Sequence, residues 1–286
     1  MAPMQANEAY ARCATLARRH SPYFSILAPL LSGRLRRTAS VLVAFDYLTR
    51  TCSDARDKDS ASRLAALAAL EAQLAARDVQ ATDTPVLIAL YALAARHNLT
   101  LELLRDLLQA RRLDVTKTRY ADFGELMGYC RFAVSPIARL LLQTVDAAND
   151  QNIGYADTLA SALQLLDILC RVREDYQQYG RIYLPQAEMD RFKVTEQHLA
   201  TGQTDLAINR LMDFQLERTR RLLRAGSPLG RILRGRNGLA LRMLILGADH
   251  LITLKKQQRD DAFFRPRLST LDWLVVGGKA FYRGFR

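Results

Sequence analysis

Apolar residues recur along this chain at intervals of three and four, and no convincing run of strict alternation interrupts them, a pattern that predicts helices and not strands. It marks a helix over residues 7–19, ended where Pro22 disfavours helical geometry at Ser21. Another is predicted over 38–57, followed by Ala- and Leu-rich helices with arginines at their ends over 60–77, 84–96 and 100–111. Residues 119–144 continue the periodicity around Pro136, which lacks a backbone N–H and should kink the helix. A long buried helix is predicted from Leu159, a connector with a short helix over 185–204, a helix over 205–224 that ends in Arg218, Arg220, Arg221 and Arg224, a turn at 227–230, and an apolar helix over 238–256. With no linker between these segments, the expectation is a single all-α domain, 1–286.

The predicted helix from Leu159 is the most informative. Ala160, Leu163, Leu166, Ile168, Leu169 and Val172 form its apolar surface, while Gln164, Asp167, Arg171 and Asp175 fall nearly in line on another face. Two readings are open from spacing alone: a ladder of surface ion pairs, or carboxylates and a guanidinium gathered for a purpose inside a buried helix.

Composition narrows the partners. A formal charge of +12 favours anionic ones: diphosphates, acidic membrane headgroups or nucleic acid. The basic residues are dispersed and not interleaved with aromatics, and no zinc-finger, RNP or helix-turn-helix signature is present, so no nucleic acid is expected. Cys13, Cys52, Cys130 and Cys170 lack metal-ligand spacing and read as buried thiols in a reducing compartment. Without an N-terminal apolar leader or an uninterrupted apolar segment of about 18 residues, the expectation is a cytoplasmic protein, with peripheral contact to a membrane surface left open.

The run ALQLLDILCRVREDYQQYGRIYLP resembles the second aspartate-rich motif of the squalene and phytoene synthases, usually ALQLTNxLxDVxxDxxxGRxYLP, and its GRIYLP tail matches outright. The resemblance extends further. HSPYF at 20–24 is similar to the family's HSxSF, DYLTRTCSDARD to its YxFxRxxDDxxDE, and YCRFAVSPIARLLL to the version found in hydroxysqualene synthases. FFRPRLS followed by LDWLVV resembles the basic Arg-Pro segment near the hydroxysqualene synthase C-terminus.

The resemblance implies an isoprenoid-synthase helical bundle around a central apolar cavity, with an isoprenoid diphosphate, farnesyl or presqualene diphosphate, as the ligand. It also implies Mg²⁺ held by Asp54 and Asp57 from one motif and by Asp167 and Asp175 from the other. By the same resemblance Ser21, Phe24, Arg50, Tyr129, Gln164, Arg171, Arg181 and Tyr183 are substrate-binding residues, with Tyr129 and Arg171 as the catalytic candidates. Two ligand positions depart from the pattern, Ser53 and Arg171 standing where the family has aspartates. A guanidinium repels Mg²⁺ yet grips two diphosphate oxygens by itself, so fewer magnesium ions than usual, or none, are expected. Two functions stay open: a prenyltransferase that eliminates diphosphate, or a non-catalytic relative acting as a binding or assembly factor, similar to the complex I assembly proteins.

Overall fold

The computed structural model describes residues 4–78 and 82–282. In chain order the helices are α1 (Ala6–His20), α2 (Pro22–Leu27), α3 (Gly33–Ser53), α4 (Ser60–Ala76), α5 (Pro85–His97), α6 (Leu103–Thr116), α7 (Phe123–Thr144) and α8 (Asp150–Tyr179). They continue with α9 (Gln186–Phe192), α10 (Glu196–Thr201), α11 (Leu206–Gly226), α12 (Leu229–Ile232), α13 (Gly235–Gln257) and α14 (Thr270–Tyr282). Among the described residues the β structure consists of an isolated parallel bridge between Arg119 and Ile182, as the all-α expectation required.

The chain falls into two compact units, residues 1–116 with 136–153, and residues 117–135 with 154–286. In the first, α3 packs against α1, α4, α5 and α6. Its core is built from Val41, Leu42 and Phe45 of α3 with Leu67 of α4, Leu87 of α5 and Leu104 of α6. In the second, α8, α11 and α13 bury Leu166, Leu169, Val172, Leu211, Leu216 and Ile245 together.

Several boundaries differ from the pattern, each for a local reason. The helix predicted over 38–57 ends at Ser53, where the Ser53 hydroxyl donates to the Arg50 carbonyl at 3.3 Å and Arg63 of α4 donates to the Ser53 carbonyl at 3.2 Å. These bonds satisfy the carbonyls left over at a helix end, so the chain turns there and Asp57 lies beyond the helix. α7 begins at Phe123 and not at 119 because Asp122 accepts from the Glu125 N–H at 2.9 Å while Glu125 reaches back to the Ala121 N–H at 2.6 Å. α7 runs on through Pro136, and the division between the two units falls at that proline. The long helix starts earlier than predicted, at Asp150, and has the length and composition to reach across a bilayer. Half of that apolar stretch is buried in the protein, so α8 is read as a core helix.

Candidate functional site

In the second unit, α8 places Gln164, Asp167, Arg171 and Asp175 along one face, as their spacing predicts. Arg171 donates through Nη2 to Asp175 Oδ1 at 2.9 Å, while Asp167 and Glu174 stand farther from the guanidinium, at 3.7 and 3.8 Å. Three carboxylates thus share one guanidinium. Asp175 is the buried member, its side chain 10% exposed against 44% for Asp167. Burial pushes the Asp175 carboxyl up to about 6; Arg171 opposes that rise, the negative charges of Asp167 and Glu174 add to it, and Arg181 opposes it more weakly.

The turn after α8 completes this region. Gly180 takes φ +64, a left-handed conformation that costs glycine nothing. It redirects the chain so that Ile182 donates to the Thr118 carbonyl at 2.9 Å and Gln186 to that of Tyr120 at 2.8 Å. Arg181 is buried, with its guanidinium 4.6 Å from the centre of the Tyr179 ring. Tyr183 stacks on Tyr120 at 5.6 Å and meets Tyr129 at 5.2 Å, so three buried rings form one aromatic wall. Tyr129, Gln164, Arg171, Asp175, Arg181 and Tyr183 therefore all lie in the second unit, with Gln164, Asp175 and Arg181 buried.

The other candidates lie in the first unit. Ser21 caps α2, accepting from the Phe24 N–H at 3.4 Å, and Phe24 is buried among Ala17, Ala28 and Ala39. His20 stacks on Tyr47 at 3.6 Å, which brings the α1–α2 junction against the part of α3 that bears Asp46 and Arg50. Arg50 donates from Nε to Asp46 Oδ2 at 3.0 Å. Ser53 is fully buried, its hydroxyl 3.2 Å from Asp54 Oδ1, and Asp57 is exposed in the following turn.

Sequence reasoning missed part of this arrangement. Arg111, which the pattern places only as an arginine at the end of a helix, is 1% exposed, and it bonds Asp114 at 2.7 Å and Asp46 Oδ1 at 2.8 Å. Glu174, the third acid around Arg171, and Tyr120, the third ring, were also passed over. Glu174 carried a usable signal, its i,i+3 spacing from Arg171.

Magnesium does not fit the residues of either unit taken alone. Among the described residues no three carboxylate, imidazole or thiol groups gather as a metal-binding set. In the second unit the place among the carboxylates is taken by the Arg171 guanidinium.

The fold is the all-α fold of the squalene synthases. The squalene synthase HpnC of Alicyclobacillus acidocaldarius matches with a TM-score of 0.80 at 25% identity, over 90% of this chain and 96% of that one. A dehydrosqualene synthase solved with a ligand matches with a TM-score of 0.86 at 21% identity, over 96% of both chains, a likeness of fold alone. The family model described as squalene/phytoene synthase matches residues 17–273, and the chain belongs to that family. Among its relatives are a hydroxysqualene synthase of Rhodopseudomonas palustris, 29% identical over 84% of this chain and 82% of the relative. A phytoene synthase of Mycobacterium tuberculosis is 33% identical over 59% of this chain and 56% of its own length.

Proposed function

We propose that the protein is a prenyltransferase acting on an isoprenoid diphosphate, farnesyl or presqualene diphosphate, and that Arg171 grips the diphosphate where its relatives use a carboxylate. In such a reaction the bond between the allylic carbon and the diphosphate oxygen breaks, both electrons leave on oxygen, and cationic donors against that oxygen lower the barrier. The observation that carries the reading is the posture of Arg171. Asp175 fixes the guanidinium at 2.9 Å, while Asp167 and Glu174 stand farther off, at 3.7 and 3.8 Å, so of these three carboxylates one is within close hydrogen-bond reach of the cation. Arg181 adds a second cation, and the ring faces of Tyr120, Tyr129 and Tyr183 are of the kind that stabilise a carbocation. The free thiols suit a reducing compartment, and cytoplasmic placement is part of this proposal.

The second reading, a binding or assembly factor without chemistry, draws on Ser53. Its hydroxyl is buried and engaged with the end of its own helix, so the position has a structural use in place of a ligand role. Pyrophosphate release from farnesyl and presqualene diphosphate, with and without EDTA, separates the two. The prenyltransferase reading expects diphosphate binding that survives EDTA, and an Arg171→Ala variant that loses roughly 10- to 100-fold in affinity together with its turnover. Silence of the wild type, of Arg171→Ala and of the double variant Ser53→Asp with Arg171→Asp would leave the binding factor. Binding abolished by EDTA would refute the part assigned to Arg171.

A further inference from the structure

Helix α14 is apolar on two opposite sides. Trp273, Val276, Gly277 and Ala280 form the stripe turned to α13: Val276 and Ala280 are buried, a side chain at Gly247 would strike Trp273 at 3.2 Å, and Arg242 of α13 donates to the Ala280 carbonyl at 2.9 Å. The opposite stripe is Leu271, Leu274, Val275, Phe281 and Tyr282, with exposures of 73, 68, 56, 75 and 86%. Leu274 and Val275 follow Leu271 by three and four residues, and Phe281 and Tyr282 follow those two by seven, with Gly278 between, so all five fall on one side of the helix. A helix apolar all round is normally covered on both sides.

Exposed cations lie on the segments that adjoin α14. Arg267 is exposed in the segment that leads into α14 and Lys279 on the helix itself, while Arg265, exposed in the same segment, is paired with Glu174 at 3.1 Å. At its far end Arg242 also donates to the Gly230 carbonyl at 2.8 Å, which ties the helix to the turn where Ile232 is 41% exposed and Arg231, Arg234 and Arg236 are exposed. The helix's own carboxylate is turned into the fold: Asp272 accepts from Ser269 at 2.8 Å and meets His250 at 3.0 Å. The exposed acids Asp260 and Asp261 lie further back along the chain, before Phe264.

From this juxtaposition we infer that α14 docks on the surface of a lipid bilayer containing anionic headgroups. Leu271, Leu274, Val275 and Phe281 enter the acyl boundary, and the surrounding arginines and Lys279 meet the headgroups. A second copy of the chain would complement the apolar face but would set the same cations against one another, whereas an acidic bilayer complements both. The docking is independent of the reaction proposed above and is tested without turnover.

The experiment is co-sedimentation of the full chain with vesicles of phosphatidylcholine alone and of phosphatidylcholine mixed with phosphatidylglycerol. Binding to the mixed vesicles is expected, weakening as salt is raised, with little to phosphatidylcholine alone. The double variant Leu274→Glu with Phe281→Glu is expected to bind roughly tenfold more weakly or worse, with an unchanged circular dichroism melt because both side chains are exposed. Should that variant not fold, the single variant Leu274→Glu, at a side chain 68% exposed, is read in its place and is expected to weaken binding in the same direction. Failure of the wild type to bind mixed vesicles, or undiminished binding by a folded double variant, overturns the inference. So does a wild-type dimer that the double variant abolishes while vesicles go unbound.

Discussion

Asp46 shows how one residue acquires its meaning from its neighbours. Burial alone would raise its carboxyl, but Arg50 and Arg111 outweigh that and hold it below the usual carboxylate range. With a depressed folded value, the unfolded chain takes up a proton more readily, so this stabilisation is present above about pH 4 and is lost as pH falls through the folded value. The unfolding free energy, measured with urea at a series of pH values, should therefore drop on acidification, and Asp46→Asn should flatten that drop. At neutral pH, Asp46→Ala should destabilise the protein by roughly 1–3 kcal/mol, because buried Arg111 would lose one of its two acids while keeping Asp114.

Helices meet in this fold where side chains are absent as well as where they interlock. At the end of α11, a side chain on Gly226 would stand 2.8 Å from the Leu159 backbone nitrogen and 2.8 Å from the Tyr155 carbonyl oxygen, and backbone cannot move aside as a side-chain tip can. Gly226→Ala should push α11 from α8 and lower stability by roughly 1–3 kcal/mol, read as a lower melting temperature. Gly180→Ala is a different case. It meets nothing within 4 Å, and its penalty is the left-handed backbone alone, roughly 1–2 kcal/mol in the same measurement. If the two variants were equally mild, the close approach of α11 to α8 would not be a constraint.

For the whole molecule, two helices bear on whether the compact units act as one domain. α7 runs without interruption from one unit into the other and is divided near its middle, where a helix does not readily melt while both ends persist; α8 gives only its first turn to the first unit. We propose a single cooperative domain. Cys13 in the first unit and Cys130 in the second are both fully buried, and burial pushes each thiol up to about 12, so neither should react with Ellman's reagent until its surroundings open. Labelling of the two thiols, resolved by peptide mapping across a urea series, should show one shared midpoint. Separate midpoints would mean that the units unfold independently.

The sequence by itself determined most of the longer helices and the alignment of Asp167, Arg171 and Asp175 on one face, which rest on hydrogen bonds and side-chain rows that span three or four residues, and through its motifs the family, but it did not mark α14 as a helix. Its ion-pair ladder and its buried cluster turned out to be one object, with Asp175 buried and Asp167 half-exposed. Tertiary structure decided what local periodicity does not encode. Arg111 meets Asp46 across 65 residues of chain, and no spacing rule connects them. Ser53 ends α3 with help from Arg63 of the next helix, which leaves Asp57 off the helical face that a longer α3 would have given it. In α14 the apolar pattern describes two faces equally well, and only the packing of one of them on α13 shows which side the protein covers and which it leaves exposed.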